Sequence, residues 1–512
     1  MIAKTYSSTV YGVEAQIISI EVNIVNGTKF FIVGLPDNAI KESAYRIESV
    51  LKQINKRMPR RRLIVNLAPA SLRKEGAAYD LPIALSILQT SNQVALKNLD
   101  QYLIMGELAL DGHLRPVCGV LPIAIEARKR NFKGFILPKA NANEAAIVEG
   151  IPIIPISHIT QAIAFLSGQK DIPPVTVDAR AIFQHSANVY DLDFADVRGQ
   201  LMPKRSVEIA AAGGHNLLMI GPPGAGKTML AKRIPSILPP LTLEEALETS
   251  KVYSVLGQLV GQEAIITKRP FRAPHHTISD VALVGGGSIP QPGQISLAHN
   301  GVLYLDELAE FKRSTIEVLR QPLEDKTIQI TRAKISLGFP ANFMLVSSMN
   351  PCPCGYYTHP KKACSCNSFM RKKYISKISG PLLDRIDIHI QVNPVSLEAI
   401  ASLAPTTNSA TIRAKVAKAR HIQQKRFLNF PHIHNNSMMS SKLIHTLCPL
   451  PKATHQLLKD VMEKFNLSAR AYNSICKLAR TIADLAESAQ IQENHVAEAV
   501  AYRSLDQEKW GD

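Results

Sequence analysis

Leu217-Leu218-Met219-Ile220-Gly221-Pro222-Pro223-Gly224-Ala225-Gly226-Lys227-Thr228-Met229-Leu230-Ala231-Lys232 is the stretch whose reading decides the architecture of this chain. Four apolar residues read as a strand, Gly221–Thr228 satisfies G-x-x-x-x-G-K-[ST], and a helical pattern follows. A glycine loop between strand and helix lets backbone N–H groups converge on phosphate oxygens, and the helix N-terminus favours negative charge there. Gly221, Pro222, Pro223, Gly224, Ala225 and Gly226 are therefore expected to wrap the phosphates of ATP. Lys227 is expected to neutralise the β- and γ-phosphates, and the Thr228 hydroxyl to take a place on Mg²⁺.

Downstream, Val302-Leu303-Tyr304-Leu305-Asp306-Glu307 is a buried-strand pattern ending in two carboxylates, with Asp306 lying 79 residues after Lys227 (306 minus 227). Asp306 suits the Mg²⁺ shell, while Glu307 suits polarising the attacking water, which gives two adjacent acids separate tasks. A strand–helix–strand step takes only about 30 residues, so the spacing implies further strands or an insertion. Phe271–His299, with Gly285-Gly286-Gly287 and Pro290-Gln291-Pro292, is the expected seat.

Working outward, the 512 residues suggest two to four domains, and 46% hydrophobic with 20% charged residues excludes wholesale disorder or a collagen-like repeat. Residues 1–168 read as an α/β unit with a strand from Gln16 to Val22 and helices over Ala39–Lys56 and Leu121–Arg130. Residues 169–190 lack a sustained period and read as a linker. Residues 191–393 read as an α/β core, and 394–512 as helix-rich, with helices over Thr411–Phe427 and Ser468–Ala486. The net charge of +17 favours a polyanionic partner. No run approaches the 18 apolar residues of a membrane span, and the N-terminus lacks a secretory layout, so a cytoplasmic protein with no membrane partner is expected.

Of seven cysteines, Cys118, Cys448 and Cys476 sit in apolar contexts and read as core. Cys352, Cys354, Cys364 and Cys366 form two C-x-C pairs that suit a closed tetrahedral Zn²⁺ site of structural kind, with His359 between them as an alternative ligand. Asp325–Leu337 reads as a hairpin with Ile328/Ile330 and Ile335/Leu337 as facing pairs and Arg332 and Lys334 near its tip, cations suited to gripping DNA phosphates. Arg60-Arg61-Arg62 and the helix bearing Arg413, Lys415, Lys418, Arg420, Lys425 and Arg426 are further basic surfaces.

Together with Ser348–Gly355, Gly380–Asp387 and Leu467–Arg470, these motifs make the chain resemble, over nearly its whole length, the ComM/YifB family of magnesium-chelatase-like AAA+ ATPases. The resemblance implies a polar sensor at Asn350, an arginine finger at Arg385 supplied across a subunit boundary, and a second sensor at Arg470. It further implies a homo-oligomeric ring, a hexamer, acting on single-stranded or branched DNA as a helicase in branch migration during natural transformation. Lys74–Leu81 and Gly106–Val117 resemble the proteolytic domain of Lon-type proteases, but Ala78 stands where that family has its serine and Leu121 where it has its lysine. Neither side chain performs acyl attack, so an inactive relative is expected. A chelatase-type remodeller of a protein substrate is the rival reading.

Overall fold

A computed structural model of the chain describes residues 2–186, 190–259, 264–287, 290–332, 335–357, 359–395, 406–430 and 432–503. Two compact units emerge: Met1–His185 joined by Thr242–Thr267, and Ser186–Leu241 joined by Lys268–Asp512.

The first unit contains β1 (Ile2–Tyr11), β2 (Glu14–Val25), β3 (Phe30–Val33), α1 (Ser43–Gln53), β4 (Arg62–Ala68), α2 (Asp80–Thr90), β5 (Tyr102–Ile104), α3 (Val120–Lys129), β6 (Gly134–Pro138), β7 (Ile153–Ile156) and α4 (Ile159–Ser167). Its seven-stranded sheet runs β3-β4-β2-β1-β5-β6-β7. Ile18, Ile20 and Val22 of β2 and Leu63, Val65 and Leu67 of β4 alternate onto one face and share a core with α1 and α2, as period-2 strands with one packed face require. The expected helix over Ala39–Lys56 is two helical pieces, Asn38–Lys41 and α1, which meet at Glu42 in right-handed helical torsions (φ −75°, ψ −13°). The 169–190 linker holds a helix, Ala179–Ser186, whose start Asp178 caps by accepting from the N–H groups of Arg180 and Ala181.

The sequence reading placed 242–267 inside the ATPase core; here it packs with the first unit. Its helix, Leu243–Val255, starts with a reciprocal capping box between Thr242 and Glu245. Ser254 Oγ donates to buried Glu144 at 2.5 Å and accepts from the N–H of Leu121 at 3.2 Å. Part of the excess in the 79-residue spacing is therefore this excursion. The rest is the expected Phe271–His299 stretch, which opens with a strand of the core sheet, Phe271–Arg272, and then holds a two-residue ladder pairing Gly285–Gly286 with Gln291–Pro292.

The second unit contains α5 (Leu201–Gly213), β8 (Leu217–Ile220), α6 (Lys227–Arg233), β9 (Phe271–Arg272), β10 (Val302–Leu305), β11 (Thr327–Arg332), β12 (Ile335–Pro340), β13 (Met344–Met349), β14 (Ile388–Gln391), α7 (Ser409–Arg426), α8 (Lys452–Phe465), α9 (Ala469–Leu485) and α10 (Glu493–Ala501). A parallel five-stranded sheet runs β9-β10-β13-β8-β14. β8, β10 and β13 are buried at every position, the pattern of strands covered on both faces. The predicted hairpin forms as β11–β12, with a different register: Ile330 faces Leu337, Ile328 faces Phe339 and Arg332 faces Ile335. The alternation keeps Ile328, Ile330, Leu337 and Phe339 buried. Lys334 lies outside the described residues. No described helix is long and apolar enough to cross a membrane.

Candidate nucleotide site

Parallel registry brings three strand ends together: Ile220 pairs with Met349, and Leu305 with Ser347. Each strand then releases its polar residues at the same sheet edge, Gly221 after β8, Asp306 after β10 and Asn350 after β13. Ligands of open parallel sheets bind at that edge, beyond the carboxyl ends of the strands.

Gly224 and Gly226 adopt φ of +78° and +89°, and a Cβ on either would meet nothing within 4 Å. These two glycines serve backbone conformation, and the space above the loop is open. Gly221 serves proximity instead, since a Cβ there would lie 2.1 Å from the Val392 carbonyl oxygen.

Lys227, only 9% exposed, donates to the carbonyls of Gly221 (2.6 Å) and Pro222 (3.0 Å) and to Asn350 Oδ1 (3.3 Å). Burial lowers its pKa, while the carboxylates of Asp306 and Glu307 act the other way. Thr228 Oγ1 donates to Asp306 Oδ2 at 2.9 Å, and Ser348 donates to the other oxygen. Tyr304 Oη bridges Ser348 and Thr228. Burial alone would raise the Asp306 carboxyl, but hydrogen bonds from Ser348, Thr228 and Tyr304 outweigh it and keep the group below its ordinary pKa. A hydroxyl and an ionised carboxylate at hydrogen-bond distance form a hard oxygen pair of the kind Mg²⁺ takes, usually with waters and phosphate oxygens completing its shell. The residues present fit a magnesium nucleotide.

Glu307 has φ +54°, outside strand geometry, and its carboxylate lies 3.3 Å from His276 Nδ1. His276 lies against His275, with ring centroids 4.1 Å apart and planes tilted by 34°. The sequence reading missed His276, having used its stretch only to seat an insertion. Its signal was two adjacent histidines just after a short strand.

Arg385 and Arg470 both act on Glu324 and have other partners than the lysine and carboxylate of the loop. Arg385 donates to Glu324 and to the Pro381 carbonyl (2.7 Å), and Arg470 lies 3.8 Å from Asp384. Among the described residues, these are their ion-pair partners, while Lys227, Thr228, Asp306 and Asn350 partner one another. Arg385 also lines a cavity of about 540 Å³ with Glu317, Arg320 and Glu324.

The four Sγ atoms of Cys352, Cys354, Cys364 and Cys366 lie within 4.8 Å of one another. Backbone N–H groups of Tyr357, Cys354 and Cys366 point at three of the sulfurs. The donor set fits Zn²⁺, a tetrahedral thiolate ion. His359 instead accepts from the N–H groups of Lys361 and Lys362 and is outside the cluster. Gly355 carries the cluster to the phosphate loop: a Cβ there would come 2.9 Å from Pro223 and 3.8 Å from Asn350. Cys448 and Cys476 are buried as expected, but Cys118, just before the left-handed Gly119 that opens α3, is exposed.

Residues 193–400 match the family described as "Magnesium chelatase, subunit ChlI", residues 20–141 match "Subunit ChlI of Mg-chelatase", and 406–503 match its C-terminal part. The chain is 43% identical over 508 residues to "Competence protein ComM" of Haemophilus influenzae, covering 98% of both chains. It is 42% identical to "Uncharacterized protein YifB" of Escherichia coli, covering 97% of this chain and 96% of that one. A partial likeness, 28% over 197 residues, links 33% of this chain with 34% of "Lon protease 2" of Bacillus subtilis.

Proposed function

Because the chain belongs to the ComM/YifB family of magnesium-chelatase-like AAA+ ATPases, we propose that it is an ATP-driven ring motor on DNA, a helicase promoting branch migration during natural transformation. Lys227 and the loop Gly221–Gly226 hold the triphosphate, and Thr228 and Asp306 hold Mg²⁺. Glu307 polarises water for in-line attack on the γ-phosphorus, and Asn350 orients that water or the γ-phosphate. Arg385 of the adjacent copy spreads its charge over the transferring group as ADP leaves, and Arg470 responds to nucleotide state from the lid. Six copies form the ring. Cys352, Cys354, Cys364 and Cys366 hold a structural Zn²⁺.

One observation carries the DNA reading. The hairpin β11–β12 lies in the chain between β10, which delivers Glu307, and β13, which delivers Asn350. A nucleotide-dependent shift of either strand end would reach the hairpin through the chain, and the cations that its sequence carries, Arg332 and Lys334, suit phosphates without reading bases. The net charge of +17 and the competence named for the Haemophilus relative support the same polymer.

The test is ATP turnover with and without single-stranded DNA and a synthetic four-way junction, beside branch migration of that junction, for wild type and Lys227→Ala. Stimulated turnover and migration that vanish in the variant are expected. Turnover indifferent to both DNAs sinks the reading and favours the chelatase-type remodelling of a protein that the ChlI likeness suggests.

A further inference from the structure

The basic runs differ in what they have left to offer. On α7, Arg413 donates to the Ser236 carbonyl, Arg420 to the carbonyls of Ala211 and His434, Lys418 pairs with Glu487 and Arg426 with Asp484. That helix spends most of its charge inside the second unit. The run from Lys52 to Arg62 holds six cations (Lys52, Lys56, Arg57, Arg60, Arg61 and Arg62) and no acid. Five of these six, all but Lys56, are exposed, as is Lys29 across the β3–β4 pairing. Among the described residues none of them has a carboxylate partner.

This charge borders an apolar surface. β3 is the terminal strand of the seven-stranded sheet, so among the described residues one of its edges carries no neighbouring strand. Phe30 and Ile32 turn to the core, leaving Phe31 (43% exposed) and Val33 (46%) on the opposite face, continued by Leu35 (56%). The Arg62 guanidinium sits over the Phe31 ring, 5.5 Å from its centroid. Gly27, at φ +129°, makes room for it: a Cβ there would come 3.1 Å from Arg62 Cβ and Nε. An aromatic ring with a guanidinium over it, inside a strip of uncompensated cations, matches what single-stranded nucleic acid asks of a protein. Bases stack on the ring and guanidinium, and phosphates take the surrounding charge. A second copy of this chain would bring the same positive charge to the same place, and duplex DNA offers no free base to stack.

We infer that the β3 edge of the first unit, with Phe31 as stacking residue and Arg60, Arg61 and Arg62 as phosphate contacts, is a nucleotide-independent binding site for single-stranded nucleic acid. The inference rests on the proposal that the substrate is DNA, and adds a second grip in the unit that holds Ala78 and Leu121.

The test uses the full chain without nucleotide and a fluorescent 30-mer oligothymidylate, its anisotropy titrated at several salt concentrations. The triple variant Arg60→Ala/Arg61→Ala/Arg62→Ala should lose affinity at least about tenfold, and the slope of log affinity on log salt should fall by about 2, at about 0.7 per single-strand phosphate contact. Phe31→Ala should lose about tenfold at unchanged slope, because stacking releases no counterions. Arg60→Lys/Arg61→Lys/Arg62→Lys should keep the slope. Neither alanine variant should change DNA-free ATP turnover, since none of the replaced side chains belongs to the nucleotide site. Wild-type affinity in either alanine variant overturns the inference, as does altered oligomeric state with unaltered affinity. Oligothymidylate binding through this edge with ATP turnover deaf to DNA would sink the motor while leaving the site standing. Stimulated turnover with wild-type affinity in both alanine variants would do the reverse.

Discussion

Lys227 and Asn350 meet across 123 residues of sequence, in a 3.3 Å contact. The ammonium rests on two loop carbonyls and an amide oxygen, partners that an incoming γ-phosphate can replace with a charged one. Arg385→Ala should keep nucleotide affinity within about twofold yet lose turnover by about 10³-fold, the scale of an arginine finger. Binding of a fluorescent nucleotide read beside phosphate release checks it, and wild-type turnover would remove Arg385 from the chemistry. Glu307→Gln should bind nucleotide and fail to cleave it, because the amide keeps the shape and loses the base. A variant that cleaves at the wild-type rate would move the water-polarising role to another group. The motif residues of the loop were legible singly. His276 was not, since its contact with Glu307 depends on the folding of the insertion.

At the scale of elements, a buried polar chain fastens the helical lid to the sheet. His215 sits just before β8 and donates to Asp387 Oδ2 (3.0 Å) just before β14, while its Nε2 meets Thr481 of α9 (2.8 Å). Ser474, also on α9, donates to the other oxygen of Asp387 at 2.8 Å. Burial pushes the Asp387 carboxyl up, but His215, Lys477 and Ser474 more than reverse it and hold it well below the carboxylate range. A carboxyl with a depressed folded pKa stabilises fully above its unfolded value near 4 and loses that contribution as pH falls towards the folded value. Wild type should therefore keep the lid docked down to about pH 4, and His215→Ala should release it at higher pH, read by limited proteolysis between the sheet and α9. Identical acid transitions would show that Asp387 owes its charge to other groups. Breaking such a buried pair costs about 3–5 kcal/mol, so Asp387→Asn should lower the melting temperature as well as loosen α9. The cysteine loop is the second fastening. Purified protein should carry about one zinc per chain, Cys364→Ser should lose it, and ATP turnover should fall, because Gly355 lies so near Pro223 of the phosphate loop that a side chain there would not fit. A fully active, zinc-free wild type would leave the cluster as packing only.

For the whole molecule, Arg385 pairs with Glu324 and Arg470 with Asp384, and among the described residues neither shares a partner with Lys227; the proposed ring asks Arg385 to act across a subunit boundary. Sedimentation with a slowly hydrolysed nucleotide should show assembly that depends on nucleotide or DNA. Full turnover in a strict monomer would end the ring proposal. The strand–loop–helix at 217–232, the acidic strand end at 306–307, the paired cysteines and the hairpin were all readable along the chain, since each is set by neighbours in sequence through periodicity, glycine torsions and ligand spacing. Nothing local announced that 242–267 would leave the ATPase core to pack on Glu144 and Leu121 of the first unit. Nor did local pattern show that α7 would consume its charge internally while the equally basic run at 52–62 keeps its own. Local chemistry is written in residue type and spacing, whereas partnership between distant segments is decided by which buried polar groups find each other when the core closes, and that competition takes place only in three dimensions.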